Sequence, residues 1–171
     1  DCPLNARWAR PREPVEGKVI LYTHGGSYVS GSPETHETVI CRLAERCRVE
    51  VFAYDYRLAP EHPYPAALQD AQAAFDYLLS LGYAEGDILA CGDSAGGGLT
   101  LALALSLRDR GRPLPAALVL LSPWTDLTES LDSHFQNEEL DPLISSEELR
   151  EAALLYAGGE ELTHPYLSPL N

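Results

Sequence analysis

Four apolar runs constrain this chain more than any other feature. They read "KVILYT" (18–23), "VEVFAYDY" (49–56), "DILACG" (87–92) and "AALVLLS" (116–122). Each is too short for a stable helix and carries no polar/apolar alternation. Continuous short apolar runs mark strands buried on both faces, as in a parallel sheet. Parallel strands need long crossovers, and the segments between these runs have helical spacing.

Ser32 followed by Pro33 predicts a helix start, with an apolar stripe at Val39, Ile40, Leu43 and Ala44 on a helix over about 33–47. A second helix is predicted over 66–81, with Ala67, Ala71, Ala74, Phe75 and Leu78 inward and Gly82 as its stop. The third, "SAGGGLTLALALSLRDR" (94–110), is apolar nearly all round, so it belongs in the middle of the fold. Ser145 and Glu148 form a capping box for one more helix, which ends at Gly158-Gly159.

Strands alternating with helices predict an α/β fold: a doubly wound parallel sheet of about four strands with flanking helices. With 171 residues the chain is read as one domain. Residues 1–17 form a covering segment or linker, 18–122 the βα core, and 123–171 a loop-and-helix tail.

The net charge of −14 disfavours nucleic acid and anionic membranes as partners. No apolar run is long enough to span a membrane and no leader pattern is seen, which gives a cytoplasmic expectation. The four cysteines, Cys2, Cys41, Cys47 and Cys91, match no metal-ligand spacing. They are expected as buried free thiols, with Cys41 and Cys47 on one helix and Cys91 in a strand. No metal or cofactor is expected.

The ligand end of such a sheet is the carboxyl end of its strands. Two glycine-rich loops fall there. "CGDSAGGG" (91–98) carries G-x-S-x-G, directly between a buried strand and a helix. That context makes it a nucleophile elbow, with Ser94 raised beside a helix N-terminus where developing negative charge is favoured. "HGGSY" (24–28) follows another buried strand. Its small residues let backbone N–H groups face a substrate carbonyl, and with the N–H of Ala95 they would form an oxyanion hole.

Taken together, "HGGSYVSGS", "YDYRLAPEHPYPAALQDA", "GDSAGGG" and "SPWTDL" resemble the hormone-sensitive-lipase-like α/β-hydrolases, the bacterial esterases with an H-G-G-G loop. The similarity runs from about Trp8 to Leu170. It implies a partial α/β-hydrolase fold and a serine carboxylesterase or lipase-like hydrolase (class 3.1.1) acting on short-chain acyl esters. By position, Ser94 resembles the nucleophile; Gly26, Ser27 and Ala95 resemble the oxyanion donors, with Gly25 shaping the loop. His24 resembles a structural loop histidine. Ser27 stands where the family usually has a third glycine.

The resemblance also implies an acid and a histidine after Ser94, beyond two further strands. After Ser122 the sequence shows one helix and loops without a strand pattern. His134 and His164 are the in-order histidines, yet neither follows a strand; His36 and His62 are expected on the surface. Asp93 is expected to point away from the Ser94 face, and Asp126, Asp132 and Asp141 have no strand-end context. The triad acid and histidine are therefore expected outside this chain, which alone should be nearly inactive. Non-catalytic small-molecule binding on the same scaffold, or an inactive fragment, stays open as the alternative. The strand order of the family this chain resembles further implies residues 49–56 and 116–122 at the two sheet edges, exposed and able to drive self-association.

Overall fold

The computed structural model describes residues 2–137, 140–142 and 144–171, the side chains of 133–135 excepted. A single five-stranded sheet forms from β1 (Ala6–Ala9), β2 (Val19–Thr23), β3 (Glu50–Tyr54), β4 (Ile88–Asp93) and β5 (Ala117–Leu121), in the order β1-β3-β2-β4-β5. The four apolar runs supply β2 to β5, and all three of their pairings are parallel. Helices α1 (Glu37–Cys47), α2 (Ala66–Ser80) and α3 (Ser94–Asp109) make the crossovers. A short α4 (Asp132–Asn137) and α5 (Ser146–Ala157) follow.

Two-sided burial separates the side chains of β2 by parity. Val19 and Leu21 join Phe52, Phe75, Leu99 and Leu103 in the larger core, beneath α2 and α3. Ile20 and Tyr22 turn the other way and meet Ile40 and Ala44 of α1. All five inward positions expected on α2 are buried, and α3 buries its first turn completely after Ser94. Residues 33–36 form turns, so α1 begins later than its proline suggests. The Ser145 cap is present: its Oγ accepts the Glu148 N–H at 3.3 Å, and Gly158 ends α5 in the left-handed region.

Three expectations are corrected. Residues 6–9 are not linker: they add a fifth strand, antiparallel to β3, with Trp8 opposite Phe52 and their rings 4.9 Å apart. Residues 49–56 are accordingly not at an edge, because β1 covers them. Four residues are too few to show a period, and their partner lies more than 40 residues on. The second correction concerns β5. It is an exposed edge strand, as expected of residues 116–122; what is corrected is the reading of its apolar run as buried on both faces. Val119 pairs in register with Cys91, which packs on the α1 side of the sheet; Val119 and Leu121 are 40% and 41% exposed. Third, Cys41 and Cys47 do share α1 but are exposed; among the four free thiols Cys91 alone is buried.

Candidate active site

The carboxyl ends of β2 and β4 bring both glycine-rich loops to one place. Ser94 is the first residue of α3, and its φ of 51° lies in the left-handed region. That conformation costs an L-residue about 1–2 kcal/mol. The cost is sustained by close packing around it. The Trp124 N–H donates to the Ser94 carbonyl at 2.9 Å. Gly96 sits so close to β2 that a Cβ there would overlap the carbonyl oxygens of Thr23 and His24. The Ser94 hydroxyl is half-buried and makes no hydrogen bond to any described residue, histidines included.

The 24–28 loop is equally constrained. Gly26 has φ 121°, Ser27 54° and Tyr28 64°. Three consecutive left-handed residues reverse the chain tightly, and the Gly26 carbonyl accepts the N–H groups of Val29 and Ser30. The loop is pinned at its far end, where the Ala59 N–H donates to the Tyr28 carbonyl at 2.9 Å. The N–H of Gly25 is taken by Asp93 Oδ1 at 3.1 Å. Those of Gly26, Ser27 and Ala95 have no partner among the described residues. Of the four residues read as an oxyanion hole, Gly25 thus shapes the loop, while Gly26, Ser27 and Ala95 keep open donors. Ser27 holds the left-handed conformation that its missing glycine would have adopted freely.

His24 is buried beneath the loop. Its Nδ1 donates to the Gly25 carbonyl at 2.8 Å, and its ring stacks on Tyr56 at 4.2 Å between centroids. Burial pushes the imidazole below its ordinary value of 6.5, against the opposing pull of the Gly25 carbonyl. Its Nε2 is buried without a partner among the described residues. A neutral, enclosed imidazole of this kind supports the loop.

The other acids and histidines are dispersed. His36 is not a surface residue: it precedes α1, is 20% exposed and has Nε2 3.5 Å from Asp93 Oδ2. The cause is tertiary, since α1 lies against β2 and β3. His164 accepts the Tyr166 N–H at 3.1 Å and packs on the Tyr64 ring. The side chain of His134 lies outside the described residues. Asp126 accepts the N–H and hydroxyl groups of both Thr128 and Ser130. Burial raises its pKa, but these bonds outweigh burial and hold the carboxyl below its ordinary range. It staples its own loop. A cleft of about 360 Å³ opens nearby, lined in part by Pro123, Trp124, Asp126, Leu131 and Leu170. Among the described residues no cluster of His, Cys, Asp and Glu could hold a metal, and no helix is long and apolar enough to cross a membrane.

Sequence reasoning placed Ser94 and the loop but missed what joins them. Asp93, Tyr22 and His36 meet between β4, β2 and α1. The one local signal was Asp93 beside Ser94, and it was read only as pointing away.

Comparison with known proteins fits this geometry. The sequence profile of the alpha/beta hydrolase fold matches residues 20–171. The chain is 43% identical over 164 residues to an acetyl-hydrolase of Streptomyces hygroscopicus, covering 96% of this chain and 54% of that protein. It is 38% identical over 154 residues to an esterase of Acinetobacter venetianus, covering 90% and 51%. The crystal structure of an esterase from the bacterial hormone-sensitive lipase family superposes with a TM-score of 0.94 at 43% identity, over 96% of this chain and 56% of that one. The chain spans about half the length of the curated relatives it matches.

Proposed function

Because this chain belongs to the alpha/beta hydrolase fold family, we propose that it carries the nucleophile and oxyanion loop of a serine carboxylic ester hydrolase. The substrates are short-chain acyl esters, and no cofactor is needed. Ser94 Oγ attacks the ester carbonyl, and the N–H groups of Gly26, Ser27 and Ala95 hold the oxygen that becomes negative. One such donor contributes about 3 kcal/mol to the transition state. A histidine, oriented by a carboxylate, takes the serine proton and returns it to the leaving alcohol; water then releases the acid. Both residues of that pair are assigned to parts of the whole protein beyond these 171 residues.

The observation that carries this reading is the left-handed Ser94 at the head of α3, with its hydroxyl unbonded. Non-catalytic binding on the same scaffold would gain nothing from holding that strain. The test is turnover of p-nitrophenyl acetate by the whole protein. Ser94→Ala should lower kcat by about 10⁶. Residues 1–171 alone should show almost no turnover and little fluorophosphonate labelling. Activity that survives Ser94→Ala would sink the proposal. Strong Ser94-dependent turnover by the 171 residues would place the base within them, with His134 and His164 the first to mutate.

A further inference from the structure

The Asp93 carboxylate ties together three elements around the elbow. Its Oδ1 accepts the Tyr22 hydroxyl of β2 at 2.6 Å and the Gly25 N–H at 3.1 Å. Its Oδ2 faces His36 Nε2 at the head of α1, 3.5 Å away. The fit is close, because a Cβ on Gly25 would overlap Oδ2. Tyr22 is fully buried, and burial, with the Asp93 hydrogen bond next, pushes its pKa far above the ordinary value, so the phenol stays a donor at all working pH.

The geometry points to Asp93 as a positioning residue that fixes the 25–27 loop at a set height and orientation relative to Ser94. This rests on the serine-hydrolase reading above. The argument is one of connectivity. Asp93 is covalently next to Ser94, and it holds the amide immediately before Gly26 and Ser27. The nucleophile and the oxyanion donors are therefore linked through one side chain and move as a unit. An oxyanion hole works only with donors about 2.7–3.1 Å from the developing oxyanion. A misplacement of about 1 Å costs about 100-fold in rate. Among the described residues, the loop's own backbone bonds tie it to Val29, Ser30 and Ala59, and none ties it to α3.

The test uses the whole protein with p-nitrophenyl acetate and a trifluoromethyl ketone, which adds to the serine and places an oxyanion in the hole. Asp93→Ala should lower kcat by about 100-fold with KM within about 3-fold. It should weaken the ketone by the same factor as kcat/KM. Asp93→Asn keeps an acceptor oxygen for Tyr22 and Gly25 but loses the charge that strengthens both bonds, so kcat should recover only to about 3- to 10-fold below the parent, with ketone affinity falling by the same factor. A structural role would lower the melting temperature without that parallel. Cooperatively melting Asp93→Ala with kcat within 3-fold of the parent overturns the inference. So does a loss of kcat with undiminished ketone affinity. Should Asp93→Ala fail to fold, Asp93→Asn decides alone, and unchanged kcat and ketone affinity overturn it. Ser94→Ala keeps the two readings apart: activity surviving there sinks the hydrolase assignment, while an unaffected Asp93→Asn sinks only the positioning role.

Discussion

The Tyr56 hydroxyl donates to the carbonyl oxygen of His24 at 3.0 Å while the two rings stack 13° from parallel. One tyrosine thus holds both the backbone and the side chain at the root of the 24–28 loop. Tyr56→Phe keeps the stack and strands a buried carbonyl. The expected cost is about 1–2 kcal/mol by urea denaturation. A midpoint equal to that of the parent would show that the bond carries nothing.

His24 also sets a pH dependence. Its folded pKa lies below the ordinary 6.5 because of burial. Above that value both states are neutral there and stability is flat. As pH falls through about 6.5 the unfolded chain takes a proton that the folded chain refuses, so stability declines with pH and levels off below the folded value. Urea midpoints between pH 8 and 5 should show this slope, and His24→Gln should reduce it. Asp126 acts in a lower window. Its depressed carboxyl adds stability above its ordinary 3.8, lost as pH falls through the folded value. Equal slopes near pH 6 in parent and variant would contradict the His24 assignment.

Gly96→Ala should destabilise by about 3 kcal/mol or more, since the new methyl meets two backbone carbonyls that cannot move aside. Gly86→Ala is the matched control, with open space around its Cβ position and no left-handed φ. Thermal melts of the pair should differ sharply. Similar midpoints would mean that β2 and α3 are not in contact as described.

Thiol chemistry separates the cysteines. Burial, helped by the charges of Asp93 and Cys47, pushes the Cys91 thiol up to about 11. At pH 8 that leaves roughly a hundredth of the thiolate an ordinary cysteine offers. Cys41 and Cys47 are exposed. Iodoacetamide followed by peptide mass mapping should modify those two quickly and Cys91 only after denaturation. Rapid native labelling of Cys91 would refute its burial.

The uncovered face of β5 should drive self-association of the 171-residue chain. Val119 and Leu121 share one face of the edge strand β5, whose outer side pairs with no strand among the described residues. Substituting both with lysine should cost about 1 kcal/mol or less per site, because both already reach solvent and a lysine stem can lie along the same surface. Sedimentation velocity should shift towards monomer in the variant. A parent chain that is already monomeric at high concentration would rule this out.

The alternation of strand and helix, the turn at Ser94 between β4 and α3 and the Ser145 cap were all legible in the sequence, because each is written within a few neighbouring residues. An apolar run, a glycine two residues from a serine, or a Ser with a Glu three residues later acts through local sterics and hydrogen bonds. The resemblance carried the α/β-hydrolase assignment by the same short motifs. What the tertiary structure decided is non-local. The pairing of Ala6–Ala9 with β3 joins a four-residue segment, too short to show a period, to a strand more than 40 residues away. Exposure of Cys41 and Cys47 depends on how α1 packs against the sheet, which no run of apolar letters encodes. The Asp93 carboxylate finds Tyr22 and Gly25 across 71 and 68 residues of chain. A side chain's partners are set by the packing of elements around it, and that packing exists only once β2, β4 and α1 have come together.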